Sequence, residues 1–169
     1  MSQVLILVEL FRHNLWANLR LIEVCSALMD EQLNTSVMGT YGSIRDTLLH
    51  IVRSEERYVA LLAGHDPPAP HESFPAFGEL QERARKSGEA LVSLAGSLDG
   101  GRVLQGTWRG NPYSLPVFIP LIQAINHATE HRSQIATVLT QLGIQPPELD
   151  GWAYHYEQMV KTTSDTSYN

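Results

Sequence analysis

A single cysteine, Cys25, in 169 residues excludes an internal disulfide and any zinc cluster built on cysteines alone. No apolar run approaches the ~20 residues needed to span a bilayer. Residues 1–9 carry no basic side chain ahead of a short apolar run that Glu9 interrupts, which argues against a secretory signal. Positive charge is scarce: 12 Lys+Arg against 18 Asp+Glu leave a net charge of −6, with no broad face for neutralising phosphates. Charged residues are only 18% of the chain and hydrophobic ones 43%, too apolar for disorder. The expectation is a cytoplasmic, soluble protein without a nucleic-acid or membrane partner. It forms one domain over residues 1–161, followed by a frayed tail at 162–169. Histidine, by contrast, is plentiful, with seven in an acidic chain.

Apolar residues recur at Val4, Val8, Phe11, Leu15, Leu19 and Ile22, close to the 3.6-residue period, and predict a first helix from residue 4 to about 28. Residues 29–42 read as a loop. Ser43, three residues before Asp46, opens a second helix whose stripe is Leu48, Ile51, Val52, Tyr58, Val59 and Leu62, stopped by Gly64. Four prolines in residues 65–75 exclude helix there. In a polyproline-like path this connector reaches roughly 34 Å, against about 30 Å for a 20-residue helix, so the second and third helices can lie parallel. A third helix is expected over about 76–98, with Phe77, Leu80, Ala84, Leu91 and Leu94 inward and Gly88 as a soft spot. Residues 102–113 are irregular, at most a short extended hairpin around Gly110, Asn111 and Pro112. A fourth helix starts near Ser114 or Pro116, admits Pro120 only in its first turns, and ends at Leu142 with Gly143 as its cap. A short fifth helix follows Asp150 to about residue 160. The sum is an all-α four-helix bundle with a long connector between helices two and three and a short extra C-terminal helix.

Within the fourth helix, His127 and His131 stand at i and i+4, one turn apart on one face, a spacing that suits capture of a metal by two imidazoles. Seven histidines produce such a pair about 0.3 times by chance, so the context carries the argument. At 100° per residue, Ala124, Ile135, Val138 and Leu142 share the side of the pair, with His131 inside the apolar stripe and His127 at its border. His50, in mid-helix two, lies beside that helix's stripe. Three neutral imidazoles from two helices, with one coordination position left to water, match an open catalytic metal site better than a closed structural one.

The string Leu48-Leu49-His50-Ile51-Val52-Arg53-Ser54-Glu55, followed by Asn126-His127-Ala128-Thr129-Glu130-His131-Arg132-Ser133-Gln134-Ile135, resembles the DinB-like (damage-inducible) family of small metal-binding four-helix bundles. Asn14-Leu15-Trp16-Ala17-Asn18 resembles that family's first helix, so the likeness runs from about residue 5 to 142. It implies an up-down-down-up bundle, often dimeric, with His50, His127 and His131 as metal ligands. Arg132 and Gln134 would complete the helix-four motif, and Glu55 would fill the acidic position of helix two. The family includes metal-dependent transferases and isomerases that use a thiol, so the resemblance implies one divalent ion, zinc or nickel, and a low-molecular-weight thiol. The expected activity is thiol S-transfer or small-molecule hydrolysis; the alternative is a non-enzymatic stress-response metal-binding protein. A +2 centre on neutral ligands lowers the pKa of a bound water or thiol and makes a nucleophile of it.

Glu55 falls near the centre of an apolar stripe, where an ionised side chain needs partners. It either orients a ligand imidazole or a backbone group, or pairs with an arginine on a neighbouring helix. Arg53 and Arg57 flank His50 and are either surface charges or holders of a carboxylate on a thiol or substrate. Arg132 is a candidate for an acidic partner across the bundle, and Glu130 points outward. Asn14 and Asn18 border the stripe of helix one. Tyr154 and His155 are candidates to cap a cleft. His13, His65 and His71 read as surface or connector residues, Trp16, Trp108 and Trp152 as packing, and Cys25 as a core filler.

Overall fold

Ser43 caps the N-terminus of a 20-residue helix. Its hydroxyl accepts the Asp46 N–H at 3.1 Å while the Asp46 carboxylate accepts the Ser43 N–H at 3.2 Å, so two of the helix's orphan donors are satisfied reciprocally. Gly64 ends the same helix with φ at 75°, a left-handed conformation that glycine adopts without strain. The computed structural model describes residues 3–66, 68–69, 73–97, 99–108 and 110–165. Its elements are α1 (Gln3–Cys25), α2 (Asp30–Leu33), α3 (Ile44–Ala63), α4 (Phe77–Ser97), β1 (Val103–Trp108), β2 (Asn111–Pro116), α5 (Phe118–Gln141) and α6 (Gly151–Asp165).

Two apolar clusters divide the bundle along its length. One holds Leu21 and Ile22 of α1, Ile44, Leu48 and Ile51 of α3, Leu80 and Ala84 of α4, and Ile135, Val138 and Leu139 of α5. The other holds Phe11, Leu62, Leu91, Ala95, Leu121 and Ala124. The first cluster thus takes the ends of α1 and α5 and the beginnings of α3 and α4. Helices α3 and α4 run parallel, and α1 and α5 run against them, which is the up-down-down-up course. The connector returns the chain to the first turn of α3, where Phe74 lies 5.0 Å beneath the Arg45 guanidinium and edge-on to Phe77 at 5.2 Å.

Several boundaries differ from the periodicity reading, each for a physical reason. Helix α5 begins at Phe118, because Ser114, Leu115 and Pro116 are the end of β2, paired with Gln105, Leu104 and Val103. The hairpin does form, and Gly110, just before β2, has φ 80°. Leu104 of β1 and Val117, just before α5, are buried in the second cluster, so the hairpin closes that end of the bundle. The loop at 29–42 holds the four-residue α2, which buries Leu33. Helix α1 ends at Cys25, and α6 runs through residues 162–165, where the reading has a frayed tail; residues 166–169 lie outside the described residues. Pro120 is the third residue of α5, where no helical donor is lost, and Gly143 at φ 74° follows its end.

The buried face of α1 is rotated from the predicted stripe. It runs through Phe11, Asn14, Ala17, Asn18, Leu21, Ile22 and Cys25, while Leu15 and Leu19 are half-buried. Gly88 is not a soft spot: a Cβ there would lie 2.5 Å from Leu15 Cδ1, so glycine is what lets α1 and α4 approach. No described helix is long and apolar enough to cross a membrane.

Candidate metal centre

His50 sits on the flank of α3 beside buried Ile51, and His127 and His131 sit one turn apart on α5, which runs antiparallel to it. The antiparallel pairing brings the three rings together. Each offers one nitrogen, and the three ligand atoms all lie within 4.8 Å of one another. The Nε2 atoms of His50 and His127 are 2.9 Å apart. The ring centroids are 4.7 Å apart for both His50 pairs and 4.4 Å for His127 with His131. His131 is buried and the other two are half-buried, as the helical wheel places them.

The electrostatics favour neutral rings. Burial, His131 and the charges of Arg57 and Arg53 hold His50 down at about 4. Burial, His131 and His50 hold His127 down at about 4 as well. Neutral imidazoles keep lone pairs, and nitrogens bind a divalent ion at about 2.0–2.1 Å, so a 2.9 Å separation lets one ion touch both Nε2 atoms. The buried Nδ1 of His127 has no hydrogen-bond partner among the described residues. The donor set fits a divalent ion that accepts imidazole, zinc and nickel among them.

Beside this group lies a second polar cluster whose charged members are buried. Glu55 is 1% exposed and Arg132 6%. Glu55 Oε1 accepts from Asn14 Nδ2 at 2.7 Å and Asn18 Nδ2 at 2.8 Å, and Oε2 accepts from Ser87 Oγ at 3.1 Å. Arg132 Nη1 donates to Asn14 Oδ1 at 2.8 Å and Asn18 Oδ1 at 2.6 Å, and Nη2 donates to Thr129 Oγ1 at 3.0 Å. Two asparagines therefore relay a carboxylate on α3 to a guanidinium on α5. Burial pushes the Glu55 carboxyl up to about 7, against the pull of these hydrogen bonds and of Arg132. Burial likewise lowers Arg132 to about 10. Of the two roles considered for Glu55, the arginine partnership is the nearer, but it runs through Asn14 and Asn18. Those two are central to the core instead of at its border.

Glu130 is exposed; Arg57, exposed, and Arg53, half-buried, act on His50 through their charges. The remaining candidates fall away from the centre. His13 is not a free surface residue: its Nε2 lies 2.9 Å from the Leu149 carbonyl, and its ring packs with Trp16 and Tyr154 at 5.6 and 5.5 Å. Trp16 Nε1 donates to Glu157 at 2.9 Å, so these aromatics dock α6 on α1, and Tyr154 covers no cleft at the histidines. His155 and His65 are exposed, Trp152 is 83% exposed and so is no core packing residue, and His71 lies outside the described residues, as does the Trp108 side chain. Cys25 is buried and its thiol is pushed up to about 12, an inert core filler.

Tyr41 was not a candidate from sequence, yet its ring stacks on His50 at 3.9 Å with 18° between the planes and stands edge-on to His131 at 5.3 Å. Its one sequence signal is that it is the sole aromatic between α1 and the Ser43 cap.

The sequence matches the model of the DinB family over residues 1–165. None of the curated proteins compared with it matches. Among solved structures it is similar in fold to a DinB-like protein from Bacillus cereus ATCC 10987, at 20% identity and a TM-score of 0.65, with 84% of this chain and 94% of that chain covered. A family match over nearly the whole chain, on a bundle of this course with three histidines gathered between α3 and α5, leads to one conclusion: the chain belongs to the DinB family.

Proposed function

We propose that His50, His127 and His131 hold one divalent ion, zinc or nickel, with a coordination position left for a small molecule, and that the protein is a metal-dependent thiol S-transferase or small-molecule hydrolase of the cytoplasm. The observation that carries this is the convergence of three imidazoles, of which His50 and His127 are held neutral by burial and by the neighbouring rings. When bound, such an ion supplies Lewis acidity and lowers the pKa of a ligating water or thiol. The chain's part is positional. The rigid pairing of α3 with α5 presents the three nitrogens, and the Glu55–Asn14–Asn18–Arg132 network locks that pairing from inside. Exposed Ile6 and Leu10 on α1 and Phe118 and Ile122 on α5, all at the end of the bundle that holds the second core cluster, support a homodimer; the elution volume and light scattering of the purified protein test it.

Metal analysis after loading tests the site. The wild type is expected to retain close to one equivalent of zinc or nickel, and a His131→Ala variant far less, with similar helical content in both. Equal and negligible retention in the two proteins would overturn the reading.

One observation favours a second reading, a stress-response metal-binding protein without turnover. No carboxylate joins the three histidines as a general base among the described residues, and both oxygens of nearby Glu55 are already engaged. Metal-loaded protein incubated with low-molecular-weight thiols plus electrophiles, and with a panel of esters, separates the two: turnover of any pair supports the enzyme, and none supports the binding protein.

A further inference from the structure

Gln134 stands one turn beyond His131 on α5, and its Oε1 atom has two neighbours. The backbone N–H of Tyr41 donates to it at 3.0 Å, and Nδ1 of His131 lies 2.9 Å from it. A backbone N–H can only donate, so the atom it meets must be the amide oxygen and not the amide nitrogen. The contact from His131 must then be a donation too. That assigns the ring proton of His131 to Nδ1 and leaves the lone pair on Nε2. The same oxygen ties down the loop residue whose ring lies on His50.

We propose that Gln134 and Tyr41 form a latch on the three-histidine centre. Gln134 is a positioning residue that sets the tautomer of His131 through one bond and fastens the α2–α3 loop through the other. Tyr41 is the wall that this fastening places over His50, so that access is confined to the sides the ring does not cover. The half of this inference that concerns metal retention rests on the proposed metal site; the tautomer half does not. The two contacts of Gln134 come from residues 93 positions apart and 3 positions apart in sequence, so one side chain couples a local helical contact to a distant loop. A partner that orients the far nitrogen of a ligand imidazole changes metal affinity by about 10- to 100-fold in known sites.

Both partners donate to one oxygen, so a carboxylate can replace the amide while an alanine cannot. Gln134→Ala is expected to lower zinc affinity by about tenfold or more in competition with a chromophoric chelator. Gln134→Glu is expected to restore affinity to near the wild-type level, and Tyr41→Leu to hasten zinc transfer to the chelator. In metal-free wild-type protein, nitrogen-15 shifts of the His131 ring should show a protonated Nδ1, and in Gln134→Ala a mixture of tautomers. The latch is overturned if wild-type Nδ1 is unprotonated at neutral pH, if Gln134→Ala holds zinc as tightly as wild type, or if Gln134→Glu falls as far as Gln134→Ala. Should Gln134→Ala not fold, Gln134→Glu, Tyr41→Leu and the wild-type spectrum decide alone. Should wild-type protein bind neither zinc nor nickel, the metal reading fails while the ring spectrum still decides the latch.

Discussion

Two polar clusters lie side by side in this bundle and are built on opposite rules. In the cluster of Glu55, Asn14, Asn18, Ser87 and Arg132, each side chain is bonded to another and the charges offset one another. In the cluster of His50, His127 and His131, two Nε2 atoms face each other at 2.9 Å and a buried Nδ1 has no partner among the described residues. Each Nε2 carries either one proton or one lone pair, so two of them aimed at one point can share a proton or a divalent ion. The difference separates a network that fastens helices from a group of nitrogens with capacity left for a ligand.

The comparison breaks most visibly at Arg132. Arg132→Ala leaves the Oδ1 atoms of Asn14 and Asn18 buried without their donor, each at a cost of about 1–3 kcal/mol, so denaturant unfolding is expected to show a loss of about 3–5 kcal/mol. A loss comparable to that of an exposed position would mean that the network does not fasten the bundle.

A smaller effect follows from the carboxyl itself. Folding raises Glu55 from 4.5 to about 7, so the folded state holds this proton more tightly than the unfolded chain does. The stabilising contribution is complete below pH 4.5 and is lost as the pH rises through about 7. Glu55→Gln removes that titration. The Tm of the variant minus that of the wild type should therefore climb between pH 4.5 and about 7. A difference that stays flat, or falls, would contradict the raised carboxyl.

The smallest effect sharpens the boundary of the centre. Glu130 lies between the two histidines of α5 in sequence but is exposed, so Glu130→Gln should change stability by no more than about 0.5 kcal/mol and leave metal retention intact. Loss of metal in that variant would place a carboxylate in the centre.

Much of this was legible along the chain. The spacing of His127 and His131 on one helix face is a matter of 3.6 residues per turn, and the Ser43 and Gly64 boundaries of α3 are local hydrogen bonding. The four prolines of the connector foretold parallel α3 and α4, since a stiff extended path can run the length of a helix. The periodicity of α1 misled, because it counts apolar residues only. Asn14 and Asn18 are in the core on the strength of bonds to Glu55 and Arg132, which lie 37 to 118 positions away. His13 looked like a surface residue until α6 folded back onto it.

The sequence by itself determined the four long helices, the C-terminal helix and the i, i+4 spacing of His127 and His131, because these depend on neighbours within one or two turns. The tertiary structure alone decided how each helix is rotated, which polar residues satisfy one another, and that Tyr41 covers His50. Those outcomes follow from packing between elements far apart in the chain, where a side chain's partner is chosen by the facing helix and not by its own.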